Sequence, residues 1–162
     1  MKNVLFFTIY ILFFAVVFPQ GYNMDLVGFL DFGQNTSDIT GFAQDGREFA
    51  VVGLQNAAAF VDITDPSNPV ELGRIPGGTS IWRDLKYWDR HVYIGTEASD
   101  GVKVVSVDDP DNPTLVSTIS DFGNSHNVHI DKDGYLYVVG ASTNDIWIYD
   151  LGFPAFPQLV GT

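Results

Sequence analysis

One spacing governs this chain. Pro66 and Pro69 in "ITDPSNPVELGRI" (63–75) are matched by Pro110 and Pro113 in "VDDPDNPTLVSTI" (107–119), a displacement of 44 residues both times. The same displacement reaches Pro154 and Pro157 in "GFPAFPQLVGT" (152–162). It also carries Asp45 to Asp89 and Asp133, Phe49 to Tyr93 and Tyr137, and Asp62 to Ser106 and Asp150, with no insertion. A spacing kept through three copies is an internal repeat, and a unit of this length cannot bury its apolar faces without neighbours.

Each copy reads as β-structure. "EFAVVGL", "HVYIGTE" and "YLYVVGA" are short runs rich in Val and aromatics, as are "AAFVDIT", "VKVVSVD" and "IWIYDLG". Turn chemistry separates them: Asp45-Gly46, Asp89-Arg90 and Asp133-Gly134 first, then the proline pairs. No helical periodicity survives past Phe18. The expectation is four strands per copy, in copy two over Ser80–Trp88, His91–Glu97, Val102–Val107 and Thr114–Ile119. A proline cannot donate to a ladder, so each pair should stop the third strand and start an outer edge strand.

Four strands per period in the low forties is the signature of a β-propeller blade. The predicted fold is all-β, with three four-stranded blades at about 37–75, 80–119 and 125–162, within a partial β-propeller over 22–162. Closed propellers take about 4 to 8 blades, so the expectation is an N-terminal fragment of a larger ring. Met24–Gly33 reads as a lone strand that would complete a final blade.

The first residues differ from the rest. Lys2 precedes an apolar run from Val4 to Phe18, softened only by Thr8 and Tyr10. The run falls short of the roughly 20 residues of a membrane span and fits the apolar core of a signal peptide. Residues 1–21 are therefore expected to form a signal-peptide helix or an uncleaved anchor. That reading makes the remainder exported, to the extracellular space, the cell surface or the periplasm. There is no cysteine, which excludes disulfides, thiolate metal sites, a cysteine nucleophile and a lipidated cysteine anchor. The net charge of −12 repels phosphate backbones and anionic membranes. Nucleic acid is thus an improbable partner. A membrane partner is expected only through the N-terminal segment or a C-terminal anchor beyond this sequence.

The segments "SIWRDLKYWDRHVYIGTEASDGVKVVSVDDPDNP" and "SHNVHIDKDGYLYVVG", together with copy one, resemble the choice-of-anchor B family. The resemblance spans nearly all of the part after the leader, and the Trp-Arg-Asp and Ser-His-Asn segments carry it. It implies a secreted or surface-displayed propeller of LVIVD-type repeats tethered by a variable C-terminal segment. The family has no established enzymatic activity, so the resemblance implies an architecture more than a function.

In a propeller, the innermost strand of each blade lines the central channel, and two loop sets share one face. By the 44-residue displacement, Asp38, Trp82 and His126 are equivalent there, followed by Ile39, Arg83 and Asn127, with Asp84 after Arg83. Asn56, Asp100 and Asn144 converge from the second loop set, with Glu97 beside them. Repeat equivalents that merely pack stay similar, whereas these diverge into acid, indole, guanidinium and imidazole. The ligand-binding candidates are accordingly Asp38, Trp82, Arg83, Asp84, Glu97, Asp100, His126 and Asn127. The plainer alternatives are inter-blade packing for Trp82 and a structural ion pair for Arg83 with Asp84 or another acid.

Other chemistries find less support. His126 and His129 are three apart on a strand and so face opposite ways, which argues against a shared zinc. "DKDGY" (131–135) lacks the later ligands of a calcium loop and reads as a turn. No metal or organic cofactor is expected, apart from a weak Ca²⁺ alternative at the Asp-Pro turns. No Gly-x-Ser-x-Gly elbow or phosphate-cradling loop is present. Two functions stay open: a non-catalytic scaffold binding an extracellular protein, glycan or surface polymer, and an extracellular hydrolase or lyase working at the channel mouth.

Overall fold

The computed structural model describes residues 24–162. The expected signal segment lies outside those residues. Twelve strands fall in three groups. The first sheet comprises β1 (Thr36–Gln44), β2 (Arg47–Leu54), β3 (Ala57–Asp62) and β4 (Val70–Pro76). The second comprises β5 (Arg83–Trp88), β6 (His91–Thr96), β7 (Val102–Ser106) and β8 (Thr114–Ile119). The third comprises β9 (Asn127–Ile130), β10 (Tyr135–Val139), β11 (Trp147–Asp150) and β12 (Gln158–Gly161). Each sheet is an antiparallel meander in chain order, and no helix occurs among the described residues. We call these units blades one, two and three.

Both faces of a middle blade must be covered, which explains why β6 is buried at every position rather than at alternate ones. Phe42, Val51, Phe60 and Ile75 on the back of blade one pack against Leu85, Val92, Ile94 and Val105 on the front of blade two. Tyr93, Val102 and Val104 on the back of blade two meet Val128, Leu136, Val138 and Tyr149 of blade three. Leu85 and Leu136 are fully buried in these seams. Truncating either to alanine would cost about 2–5 kcal/mol.

Two boundaries differ from the sequence reading. The first strand of copy two starts at Arg83 rather than Ser80, because Ser80 folds back on its own backbone. Its hydroxyl accepts the Trp82 N–H at 3.0 Å and donates to the Trp82 carbonyl at 2.9 Å, competing with a ladder. The lone strand expected at Met24–Gly33 is not formed, since none of the described strands pairs with it. The segment nevertheless lies where an outer strand of a preceding blade would lie. A methyl at Gly28 would run into the Pro66 carbonyl. At the two later seams Gly73 of β4 is in ordinary contact with the Pro113 ring, and the Ser117 hydroxyl of β8 donates to Ala155 O at 2.6 Å. Phe32 then packs on Val52, Leu54, Ala57 and Ala59.

The third hairpin also departs from the strict 44-residue register. In blades one and two, two-residue turns join the first strands, with Gln44 opposite Arg47 and Trp88 opposite His91. Both central residues have positive φ: Asp45 at 52° with Gly46 at 79°, and Asp89 at 40° with Arg90 at 59°. That is the primed turn which matches strand twist. In blade three Ile130 instead pairs with Leu136, and the Asp131 N–H donates to Tyr135 O at 3.0 Å, leaving a three-residue loop. The cause is Asp131, which stands where copies one and two have Ala43 and Tyr87. Its carboxylate accepts the N–H groups of Asp133 (2.9 Å) and Tyr135 (3.0 Å) and the Tyr137 hydroxyl (2.9 Å). β9 therefore slides by one residue, and a slide of one exchanges the faces of a strand. Val128 enters the seam with blade two, while His129 is turned outward.

Candidate functional site

The inner strands β1, β5 and β9 have one edge without a strand neighbour. Two carboxylates resolve the same problem at both seams. Asp38 Oδ2 accepts the Leu85 N–H at 3.0 Å, and Asp84 Oδ2 accepts the Val128 N–H at 2.8 Å. Leu85 and Val128 occupy the same register position in successive blades, opposite Ile94 and Val138. Each is thus capped from the blade before it. An N–H left unpaired there would carry its full desolvation cost, about 1–3 kcal/mol.

Asp84 is the more committed of the two acids. It is 6% exposed and also accepts Asn127 Nδ2 at 3.1 Å, while its other oxygen meets Lys86 Nζ. Burial pushes its carboxyl up, but the bonds from Lys86, Val128 N–H and Asn127 outweigh that and hold it below the usual range. Such a group stays ionised and has little capacity left to take a proton in a reaction.

Arg83 is committed too. It is 2% exposed and sinks toward blade one, donating to Leu54 O at 2.7 Å, Gln55 O at 3.3 Å and Gly78 O. Burial pushes the guanidinium down from its usual value, partly offset by Asp100. Its hydrogen-bond partners are backbone carbonyls; of the acids weighed for a structural ion pair, Asp84 is not its partner, and the neighbouring Asp100 is the one whose charge favours it. Asp100 stands behind it, accepting the Gly78 N–H at 2.8 Å and Lys103 Nζ at 2.6 Å. It anchors the loop that Arg83 binds.

The remaining candidates gather around an aromatic ledge. Trp82 stacks on His126 with ring centroids 4.7 Å apart and planes 6° from parallel. Its indole N–H donates to the His126 carbonyl at 2.9 Å, and His126 Nδ1 lies 2.7 Å from Glu97 Oε1. The slip of β9 brings this about. By residue number His126 matches Trp82, but by strand register it occupies the place of Arg83 and faces blade two. The equivalence of Asp38, Trp82 and His126 therefore holds in numbering and fails in register. His129 lies on the opposite side of the strand, its ring 6.3 Å from that of Tyr137. Ser125 is fully buried, bonding Thr96 through its N–H (2.8 Å) and its hydroxyl (3.2 Å).

A cleft of about 300 Å³ opens beside the ledge, lined by Thr36, Ser37, Asp38, Ile81, Trp82, Arg83, Asp84 and Asn127. Five of the eight sequence candidates thus share one wall, with Glu97 and His126 adjoining through Trp82 and Asp100 set apart. Sequence reasoning missed Lys86, which lies 3.6 Å from Asp38 Oδ2 and bonds Asp84. Its signal was present: copy one has Phe42 at the matching position. Thr36, Ser37 and Ile81 gave no such cue.

Among the described residues no three metal-ligating side chains converge. No protein-family model matches the chain, and no curated protein matches it.

Proposed function

We propose that the chain is part of an exported β-propeller that binds an extracellular glycan at the Trp82 cleft without transforming it. The observation that carries this reading is where the polar groups are already spent. Arg83 is bonded to carbonyls, and Asp84 to two N–H donors and an ammonium. Both lack the spare capacity that acid–base chemistry needs. What remains accessible is a flat indole, 41% exposed, edged by Asn127, Thr36, Ser37 and the Asp38 carboxylate. An apolar plane rimmed by amide, hydroxyl and carboxylate suits a sugar ring, which is apolar on one face and polar at its edge.

The wider assignment rests on two further features. The 44-residue blades, the apolar leader and the segments shared with the choice-of-anchor B pattern support an exported, surface-displayed protein. The back of blade three carries Tyr137, Val139 and Ile148, with Ile146 53% exposed, at positions that blades one and two cover with the next sheet. Such a face suits one more blade of a larger ring.

A glycan array probed with the whole chain tests the reading. Binding should appear, fall at least about tenfold in Trp82→Ala with Tm unchanged, and leave the glycans uncleaved. Glycan cleavage that is lost in Asp38→Asn would replace the scaffold with the hydrolase or lyase.

A further inference from the structure

The polar groups still unspent at the cleft narrow the kind of sugar it can hold. We propose that it selects an uncharged, hydroxyl-rich glycan over both acidic and aminated chains; this rests on the glycan-binding reading above.

The charges at this wall are balanced among themselves. Lys86 is held between Asp84 and Asp38, its ammonium 3.6 Å from Asp38 Oδ2. The Asp38 and Lys86 side chains are 37% and 34% exposed, so a ligand meets both signs together. Arg83 lines the cleft as well, but its Nε and Nη2 are taken by carbonyls. Its remaining nitrogen, Nη1, lies by Gly77 and Asp100. A methyl on Gly77 would come within 3.2 Å of Nη1 and 3.3 Å of Asp100 Oδ2. Asp100 is paired in turn with Lys103 at 2.6 Å. Glu97 is not among the lining residues and is bonded to His126. Neither sign is left over for a charged ligand, which would lose its water without gaining a partner.

What does remain are hydrogen-bonding groups. The Thr36 and Ser37 hydroxyls are exposed and bonded to no other group among the described residues. Asn127 Nδ2 donates to Asp84, leaving Asn127 Oδ1, and Asp38 Oδ2 accepts the Leu85 N–H, leaving Asp38 Oδ1. Two hydroxyls and two bare acceptors form a set rich in acceptors, so the ligand must bring donors. An ionised carboxylate brings acceptors only. An ammonium brings donors but sets a second cation beside Lys86. A sugar hydroxyl donates and accepts without charge, and the apolar face of the ring lies on Trp82.

The test is calorimetric titration of the whole chain with equally linked hexamers of glucose, glucosamine and glucuronate. At about 500 mM salt, which screens the field of the net charge of −12, the glucose hexamer should bind about tenfold tighter than either charged one. At about 50 mM salt, removing one charge should tip the balance. Asp38→Asn should raise glucuronate affinity several-fold, and Lys86→Gln should raise glucosamine affinity by a similar factor. Asp38 caps a backbone N–H and Lys86 neutralises a buried acid, so Tm is measured alongside; the comparison in the unaltered chain needs neither variant. Equal or tighter binding of either charged hexamer by the unaltered chain would overturn the neutral preference and leave glycan binding standing. Folded variants with unshifted preferences would overturn it as well. If no hexamer binds, the array decides: uncharged hits alone sustain the preference, charged hits overturn it, and an empty array removes both readings.

Discussion

Blades one and two differ from blade three at two of its three turns, the first hairpin and the proline turn, although all three share one 44-residue measure. The proline turn shows this most plainly. Its backbone closure is retained three times: Asn68 N–H to Asp65 O at 3.0 Å, Asn112 N–H to Asp109 O at 3.0 Å, and Phe156 N–H to Phe153 O at 2.9 Å. In the first two copies the Asp side chain caps the turn, Asp65 accepting Ser67 N–H at 3.0 Å and Asp109 accepting Asp111 N–H at 3.1 Å. In the third, phenylalanines replace both Asp and Asn and stand 74% and 62% exposed. Asp109 and Asn112 are exposed even though blade two has a neighbour on each side. Exposure of Phe153 and Phe156 is therefore a property of the rim position and not of an uncovered blade. The backbone needs only the prolines, and the capping side chains are interchangeable.

The first hairpins teach the converse. There one side chain, Asp131, resets the turn, and the turn resets the register of a strand. That places His126 opposite Glu97, whereas the register-equivalent Arg83 is buried against blade one.

The strongest way to break this comparison is to truncate the two register equivalents. Arg83→Ala should destabilise the chain by about 3 kcal/mol, because Leu54, Gln55 and Gly78 lose a buried donor. His126→Ala should cost less than about 1 kcal/mol, as its side chain is half exposed. Urea unfolding of both variants gives the difference, and similar values would mean that the slip has no energetic content.

Next in size is Arg90→Gly. Arg90 holds φ at 59° in a position where blade one has Gly46. Relieving that conformation should raise stability by about 1 kcal/mol, seen as a higher Tm.

A smaller and more local effect follows from pH. Hydrogen bonds, first from the Tyr135 N–H and then from the Tyr137 hydroxyl and the Asp133 N–H, offset a slight burial and hold the Asp131 carboxyl below its usual range. Its contribution is therefore complete above the unfolded value near 3.9 and is lost as pH falls through the lower folded value. On acidification below about pH 4, amide exchange at Tyr135 should quicken before that at Arg47 or His91 in the two-residue hairpins. Equal exchange in all three hairpins would deny Asp131 its part in the loop.

The least stability change is expected from Phe153→Asp combined with Phe156→Asn, which rewrites the third turn in the manner of the first two. Unfolding free energy should move by no more than about 0.5 kcal/mol, while binding of a hydrophobic dye should drop clearly.

Much of the fold was legible because turn chemistry and apolar periodicity are local properties. The strand limits of Thr114–Ile119, and the starts at His91 and Val102, stand where the residues placed them. The site was legible in membership and much less so in role. Asp38, Trp82, Arg83, Asp84 and Asn127 do meet at one cleft. Nothing in the spacing said that Arg83 would bind carbonyls, because backbone acceptors carry no residue identity. Nor did it pair Asp38 with Asp84 as caps of equivalent N–H groups, since they sit at positions the repeat does not equate.

By itself the sequence determined that this chain builds successive four-stranded sheets with apolar faces on both sides, because strand alternation, turn residues and a constant period are all written along one dimension. Tertiary structure alone decided which polar side chains are consumed in holding blades together and which stay open to the cleft. That outcome depends on where two sheets touch, and a one-residue slide caused by a single aspartate is enough to change it.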